Sequence, residues 1–269
     1  MTDKIDFLND IVNTKKREVG IKKQHTGIGS LIKVIDSIKH PLSFIETLSA
    51  NVPPRIIAEI KKRSPSKGVI ASGIDVKQVA TDFESAGACA VSVLTDEKYF
   101  EGSISDMITV KNAVTIPVLR KDFIVDEFQV YESRANGADT ILLIVKILDK
   151  AVNHYLELSR QLGMEPLVEI HNENELKTAI DAGARIIGIN TRNLDTFNVS
   201  LDTIASLINY IPDNVFTVAE SGITSTDIIL EFMKLGIDGF LIGETFMRAS
   251  SPSKKLKEFI DKFRISSFK

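Results

Sequence analysis

Charged, hydroxyl or amide side chains end five apolar runs of this sequence, each just before a loop rich in Gly, Pro, Ser or Asn. Burying a charge within a run of Val, Ile and Leu costs free energy, so charges at equivalent positions indicate strand ends that converge on a polar site. These residues are Glu59, Lys61, Lys121, Asp122, Glu169, Asn190, Glu220 and Ser221. Strand ends that carry such side chains predict an enzyme.

The first run and its loop, IIAEIKKRSPSKGVI, contain the highest density of candidate residues. Because side chains alternate between the two faces of a strand, Glu59 and Lys61 share a face and point inward if Ile57 does. An ammonium beside a carboxylate can hold an anionic substrate, and the structural alternative is an internal ion pair. The basic loop over residues 63–70 predicts a flap that closes over a ligand, with a solvated loop as the alternative.

Histidines and common catalytic motifs add little to this set. His25, His40, His154 and His171 do not have the spacing of metal ligands, so we predict no metal site. The motifs G-x-S-x-G, Walker A and G-x-G-x-x-G are absent, which removes the commonest hydrolase and nucleotide-binding signatures. The remaining lysines, glutamates, asparagine and serine suit acid–base chemistry on a sugar phosphate.

The elements that position these residues follow from a repeat. Gly87, Gly137, Gly183 and Gly236 each follow an amphipathic stretch and precede an apolar run, as expected of the residue that ends a helix before a buried strand. Their spacings of 50, 46 and 53 residues fit two βα units each, and a second apolar run lies in each interval. With IIAEIKK in front, eight apolar runs result.

These runs are nearly continuous in Ile, Val and Leu, which is typical of parallel strands covered on both faces. Eight alternating β and α units predict a (β/α)₈ TIM barrel, and a doubly wound open sheet is the alternative. An unbroken repeat from the second strand to the eighth favours the closed barrel. We expect a single domain over residues 1–269, with a helical extension at 1–50 and the barrel at 51–269.

The extension lies outside the repeat. Ile5, Leu8, Ile11 and Val12 have helical spacing within residues 5–24, and PLSFIETL begins another helix after Pro41. Such helices either cover a barrel mouth or shield one end, and the sequence leaves both readings open.

Two glycine-containing turns late in the chain predict a phosphate site. AESGI follows the seventh run and LIGETF follows the eighth, where barrels of this type bind phosphate through backbone N–H groups. Gly222 and Gly243 would let the backbone approach an anion closely. Either glycine alone is explained by turn geometry, so the prediction depends on both.

Composition excludes several classes of protein. A net charge of -3 and a pI near 5.9 argue against a general nucleic-acid binder. The only cysteine, Cys89, forms no intrachain disulfide, and its apolar surroundings predict a small core residue. The start of the chain lacks the pattern of a secretory leader, and the sequence has no run long enough to span a membrane. We expect a cytoplasmic protein without membrane contact.

The order and spacing of several motifs resemble those of one enzyme family. AEIKKRSPSKG, LRKDFI, LVEIH, GINTRNL, VAESGI and FLIGETFM together resemble indole-3-glycerol-phosphate synthase over essentially the whole chain. The first motif is the most specific, whereas AESGI and IGE are shared more widely among phosphate-binding barrels.

The resemblance implies an enzyme of tryptophan biosynthesis that needs no cofactor. Its reaction converts 1-(2-carboxyphenylamino)-1-deoxyribulose 5-phosphate to indole-3-glycerol phosphate, with loss of CO₂ and water. By similarity Lys121 is the general acid of ring closure, Glu169 the base of dehydration, and Glu59 the carboxylate that orients Lys121. Lys61 resembles the lysine that binds a substrate anion and serves as a second acid. The remaining matches are Asn190 and Glu220 as orienting residues, Ser221 as a substrate contact, and Ser64, Gly222 and Gly243 around the phosphate.

Physical arguments add further expectations for the site. Burial lowers the pKa of a lysine, which would make Lys121 a better acid near neutral pH. Apolar side chains must hold the aryl ring against the ketose, and ordinary core packing is the alternative role for each of them. The candidates are Phe100, Phe123, Ile144 and Leu194.

Three charged residues fit the resemblance less well. Glu244 stands beside the presumed phosphate glycine, where some relatives carry serine, so we expect phosphate contacts from backbone N–H groups or Thr245. Arg192 is a candidate for binding the aryl carboxylate, and Lys146 receives no role.

Two rival functions remain open at this point. Phosphoribosylanthranilate isomerase would need a Cys and Asp pair at strand ends, and a non-catalytic phosphosugar-binding scaffold would not need Lys121 opposite Glu169. Protein partners cannot be predicted from these residues.

Overall fold

The computed structural model describes residues 7–50, 52–193 and 199–266, with side chains up to residue 263. Eight parallel strands form a closed barrel in which each strand pairs with its neighbours along the chain and the last pairs with the first. The strands are β1 (Arg55–Ile60), β2 (Ala90–Leu94), β3 (Val118–Lys121), β4 (Thr140–Ile144), β5 (Leu167–Ile170), β6 (Ile186–Asn190), β7 (Phe216–Glu220) and β8 (Gly239–Ile242). The predicted (β/α)₈ barrel is confirmed, and the open-sheet alternative is wrong.

Helices surround the barrel and fill the connections between its strands. They are α1 (Phe7–His25), α2 (Ile28–Ile35), α3 (Phe44–Ala50), α4 (Val76–Ala86), α5 (Glu97–Phe100), α6 (Ile104–Lys111), α7 (Glu127–Ala135), α8 (Val145–Leu148), α9 (Val152–Gln161), α10 (Glu173–Asp181), α11 (Asp202–Leu207), α12 (Thr226–Lys234), α13 (Glu244–Met247) and α14 (Pro252–Ser266). Within the described residues, none of these helices has the length and apolar character needed to cross a membrane.

Glycines end the helices that the repeat predicted. Gly87, Gly137, Gly183 and Gly236 have φ angles of 104°, 88°, 77° and 99°. This left-handed conformation is unstrained only for glycine, which explains why the residue recurs where a helix turns back into a strand. These four glycines therefore each end a helix and fix where the following strand begins.

Alternation along each strand divides the core in two. Ile56 of β1 packs beneath the surrounding helices, whereas Ile57 lies in the cluster that fills the barrel interior. The interior cluster also contains Leu119 of β3 and Leu167 of β5. Each of these three interior residues is followed two positions later on the same strand by a polar one, and its side chain points inward as well. The polar residues are Glu59, Lys121 and Glu169. The alternation of side chains along each strand therefore directs these polar groups into the barrel at the carboxyl ends of the strands.

The extension covers both ends of the barrel. Lys15 of α1 binds Asp96 and Asp122, which follow β2 and β3, with Nζ–oxygen distances of 2.8 and 3.1 Å. At the opposite end, Leu48 of α3 lies against Gly239, the first residue of β8. The sequence left open whether the extension covers the barrel mouth or shields the other end. Helix α1 does the first, and helix α3 does the second.

Helix α2 was not predicted from the sequence. Gly27 and Gly29 flank its first residue, and glycine disfavours helix formation, which hides the short apolar pattern that follows. Its buried Leu31 packs against Phe128 of α7. Tertiary packing, rather than local propensity, stabilises this helix.

Candidate active site

Lys121 lies between two carboxylates at the centre of the inward-facing polar cluster. Its Nζ is 3.0 Å from Glu169 Oε2 and 2.8 Å from Glu220 Oε2. The three side chains come from the ends of β3, β5 and β7, and their exposed fractions are 14% for Lys121 and 2% for each glutamate. The barrel therefore brings together three residues that are far apart in sequence, as the strand-end pattern predicted.

Glu59 and Lys61 form a second ion pair in the site. Their side chains meet at 2.5 Å, Glu59 is buried, and the loop that begins at Lys61 rises from the end of β1. The charge of Glu59 also acts on Lys121. The expected inward orientation of Glu59 together with Ile57 is confirmed.

Two glycines make room for these carboxylates. A Cβ at Gly188, which faces inward from β6, would overlap Glu220 Oε1, and a Cβ at Gly243 would overlap Glu59 Oε1. Gly243 has an ordinary φ of -117°, so the nearby carboxylate, rather than backbone conformation, requires the missing side chain there. Sequence reasoning missed Gly188, although it is the single glycine within a run of isoleucines.

The electrostatics of Lys121 differ from the expectation. Burial does lower the pKa of this ammonium, but the charges of Glu169, Glu220 and Glu59 raise it more, so that the net pKa lies above its ordinary value. The predicted lowering was wrong because it considered desolvation without the carboxylates that the fold brings close. Lys121 therefore holds its proton firmly.

The two glutamates beside Lys121 are not equivalent. Burial raises the pKa of both carboxyls and Lys121 lowers it. The charge of His171 and the side-chain amide of Asn190 also favour the ionised form of Glu169, so its pKa falls below the ordinary range. Glu220 instead faces the negative charge of Glu169, and its pKa is raised. Glu169 therefore ionises more readily than Glu220.

The end of β6 orients the neighbouring loop. Asn190 is buried, and its Oδ1 accepts the backbone N–H of Arg192 at 3.0 Å. Arg192 reaches Glu244 at 3.9 Å, which links the end of β6 to the loop after β8. Leu194, a candidate for aryl-ring packing, lies outside the described residues.

The turn after β7 has a special backbone. Ser221 and Gly222 have φ angles of 65° and 71°, and positive φ is strained for a residue with a side chain such as serine. Thr191 Oγ1 donates to the backbone oxygens of Glu220 and Ser221 at 3.1 and 3.2 Å. Strain held by neighbouring hydrogen bonds is common at ligand-binding turns.

The remaining predicted contacts lie near the site's edge. Ser64 belongs to a small hairpin, Arg63–Ser64 paired with Gly68–Val69, and its buried Oγ has no hydrogen-bond partner among the described residues. The rings of Phe100 and Phe123 are 6.1 Å apart, and Ile144 is buried in the interior cluster. Thr245 Oγ1 donates to the Ile223 carbonyl at 2.6 Å.

The structure separates Asp122 from the other strand-end charges. It binds Arg120, Thr95 and Lys15 instead of the central lysine. Burial raises the pKa of Asp122, but Arg120 and Lys15 lower it more, to about 2. This carboxylate fastens α1 to the barrel. Lys146 lies on α8 with an exposed side chain and still receives no role.

Among the described residues, no three His, Cys, Asp or Glu side chains are grouped to hold a metal ion. A closed (β/α)₈ barrel with a lysine between carboxylates at its strand ends defines a class of barrel enzymes that work by proton transfer.

Comparison with known proteins gives the particular member of this class. The family model described as indole-3-glycerol phosphate synthase matches residues 8–259, and this chain belongs to that family. An indole-3-glycerol phosphate synthase of Thermoanaerobacter pseudethanolicus is 43% identical over 253 residues, covering 94% of this chain and 96% of the relative. The Aquifex aeolicus enzyme of the same name is 42% identical over 257 residues, covering 94% and 98%.

Solved structures with low sequence identity support the fold alone. Thiamine phosphate pyrophosphorylase from Pyrococcus furiosus has a TM-score of 0.58 at 17% identity, covering 77% of this chain and 96% of that one. A structure described as native KDPGal has a TM-score of 0.57 at 17% identity, covering 81% and 98%.

The family defines the activity. The enzyme is a carboxy-lyase of tryptophan biosynthesis that acts on a small phosphate-containing substrate to form indole-3-glycerol phosphate. The rival isomerase function is wrong. Cys89 precedes β2 instead of ending it, and burial raises the pKa of its thiol to about 12, so it is a core residue.

Proposed function

We propose that the residues around Lys121 carry out ring closure, decarboxylation and dehydration of 1-(2-carboxyphenylamino)-1-deoxyribulose 5-phosphate. The observation that carries the proposal is the placement of Lys121 Nζ between Glu169 and Glu220, at 3.0 and 2.8 Å. An ammonium held between carboxylates is a positioned proton donor with an acceptor beside it.

In the first step Lys121 donates a proton to the ketose oxygen while the aryl carbon that bears the carboxylate attacks the carbonyl carbon. The raised pKa keeps Lys121 protonated before reaction, and negative charge developing on the ketose oxygen draws the proton away. Loss of CO₂ then restores the aromatic ring, because the electrons of the broken bond return to it.

Dehydration needs a base and an acid. Glu169, whose pKa is the lower of the two, accepts a proton from the new ring, and Lys61 donates one to the departing hydroxyl. Two protons are given and one is taken, so each turnover consumes one proton, as loss of CO₂ from a carboxylate requires. Glu169 can return its proton directly to Lys121 across 3.0 Å, and the remaining proton enters from solvent to Lys61.

The other predicted residues bind and orient the substrate in this scheme. Ser64, Ser221, Gly222 and Gly243 surround the phosphate, Arg192 pairs with the aryl carboxylate, and Phe100 and Phe123 pack on the aryl ring. Asn190 orients Glu169, consistent with the favourable effect of its amide on the carboxylate charge. Leu194 remains a predicted aryl contact.

The extension is part of the same functional unit in this proposal. Residues 1–269 form one domain, supported by buried ion pairs between Lys15 and the loops after β2 and β3. The substrate is a sugar phosphate, and neither nucleic acid nor a membrane takes part. The biosynthetic role and the single reduced cysteine favour the cytoplasm as the site of action.

A single-turnover experiment tests the order of these steps by following labelled CO₂ and indole fluorescence together. Lys121→Ala should release neither CO₂ nor indole product at a useful rate, with a loss of roughly 10²-fold or more. Glu169→Gln should release CO₂ in a burst while the indole signal lags behind it. If both signals slow together in Glu169→Gln, Glu169 acts at or before ring closure and its assignment as dehydration base is wrong.

A further inference from the structure

His171 connects Glu169 to the first turn of α10. It follows β5 directly, and its Nε2 lies 3.4 Å from Glu169 Oε1 while its Nδ1 lies 3.0 Å from Glu175 Oε2. The imidazole therefore stands between two carboxylates: Nδ1 is hydrogen-bonded to Glu175, whereas Nε2 and Glu169 Oε1 face each other as an ion pair without hydrogen-bond geometry. Its exposed fraction is only 11%, and in the sequence it ends the LVEIH motif, to which only Glu169 contributed a predicted site residue.

The start of α10 holds the carboxylate of Glu175 in place. Glu175 Oε2 accepts the backbone N–H of His171 at 2.8 Å, and Asn172 Nδ2 donates to Glu175 Oε1 at 2.7 Å. In return, Asn172 Oδ1 caps the helix by accepting the backbone N–H of Glu175 at 3.0 Å. The ring of His171 therefore cannot turn without breaking contacts that the helix end requires.

The charges around His171 are mainly negative. Glu169 on β5, Glu175 on α10 and Glu220 on β7 act on it, and Lys121 lies beyond Glu169. Burial lowers the pKa of the imidazole, but the hydrogen bond to Glu175 and the charges of Glu169 and Glu220 raise it by more. The net pKa of His171 therefore lies above its ordinary value. A protonated His171 in turn favours the ionised form of Glu169.

We propose that His171 is a positioning residue, fixed by Glu175, that holds Glu169 Oε1 so that Oε2 faces Lys121 and the substrate proton. The inference rests on the proposed role of Glu169 as the base of dehydration. Without His171, Glu169 would lose both a contact that fixes its orientation and a positive charge that keeps it ionised.

Two substitutions of His171 separate its contacts. His171→Asn keeps a polar group near the Nδ1 position and so the link to Glu175, but it cannot reach Glu169. His171→Gln places an amide near the Nε2 position, which retains a neutral donor to Glu169. The matched control is His154→Asn on α9, where an exposed histidine pairs with Glu127.

In His171→Asn we expect kcat to fall about tenfold with little change in KM, because a misplaced catalytic group slows chemistry more than binding. In the pH profile of kcat, the acid limb reports the ionisation of Glu169. It should move up by about one pH unit, because Glu169 loses a neighbouring positive charge. His171→Gln should recover most of kcat but not the position of the acid limb. His154→Asn should change neither quantity.

Several outcomes would overturn the inference. If His171→Asn changes neither kcat nor the acid limb, even with reduced thermal stability, the histidine only completes the helix cap. If His171→Asn does not fold, Glu175→Gln replaces it, since the amide keeps an acceptor for His171 while removing the charge. An acid limb unmoved in that variant would equally refute the proposal.

A parallel measurement on Glu169→Gln keeps the two proposals distinguishable. Impaired dehydration in Glu169→Gln with normal His171 variants refutes only the positioning role. A Glu169→Gln enzyme with undiminished kcat refutes the proposed function of Glu169, and the role of His171 with it.

Discussion

The Cα of Gly188 lies so close to the carboxylate of Glu220 that a Cβ at position 188 would overlap Glu220 Oε1. Gly188 pairs with Glu169 on β5 and with Val218 on β7, so it lies between the two strands whose glutamates bind Lys121. The missing side chain on β6 is therefore what allows Glu220 to reach the lysine.

Gly188→Ala should displace Glu220 and break its 2.8 Å contact with Lys121. We expect kcat to fall by roughly 10²-fold, the loss that follows from misplacing a catalytic group by about 1 Å. Steady-state kinetics measure the effect. Gly20→Ala is the control, because Gly20 lies within α1 with open space around it, and this variant should keep full activity while gaining about 0.5–1 kcal/mol of stability. Equal kcat for both alanine variants would contradict the positioning of Glu220 by Gly188.

Gly222→Ala tests the proposed phosphate site after β7. Gly222 has a φ of +71°, and a new Cβ would approach Val199, so the backbone of the turn should shift away from the phosphate. We expect KM to rise strongly with a smaller change in kcat, because phosphate binding is lost in the ground state as well. Gly236→Ala is the matched control, since its φ of +99° gives comparable strain in open space just before β8, at the opposite end of the barrel from the proposed phosphate site. Both variants should lose about 1 kcal/mol of stability, but only Gly222→Ala should change KM.

The hairpin after β1 should order further when ligand binds. Arg63 pairs with Glu101 at 2.9 Å, but both side chains are 46% exposed, and exposed pairs contribute little stability. Saturating indole-3-glycerol phosphate should therefore slow tryptic cleavage at Lys67, which mass spectrometry can follow. Lys67→Gln should abolish this cleavage and so identify its site. Equal cleavage rates with and without product would argue against a flap.

Asp122→Asn should weaken the attachment of α1 and change the acid stability of the enzyme. The pKa of Asp122 is lowered to about 2, so its contribution is present above the unfolded pKa of about 3.9 and is lost as pH falls through 2. We expect the variant to lose on the order of 2 kcal/mol at pH 7. Urea unfolding at several pH values should show the gap between wild type and variant narrowing from pH 4 to pH 2. Asp227→Asn, which removes an exposed ion pair with Lys262, should give a small difference that hardly depends on pH.

The sequence alone determined the features that depend on local patterns. Continuous apolar runs predicted the eight strands, and glycines at helix ends predicted where four of them begin, because both signals act over a few residues. Alternation along β1 was enough to point Glu59 inward with Ile57. Helix α2 escaped because its two glycines oppose its local signal, and packing against α7 decides the outcome.

Only the tertiary structure decided which polar residues meet and what their charges do to one another. Lys121 and Glu220 are 99 positions apart in sequence, and barrel closure brings them to 2.8 Å. That proximity reverses the expected direction of the lysine pKa, because three carboxylates outweigh desolvation. Asp122 follows Lys121 directly, yet strand alternation turns it away toward Arg120 and Lys15. Electrostatic energies depend on distance and burial in three dimensions, and neither is contained in a local run of residues.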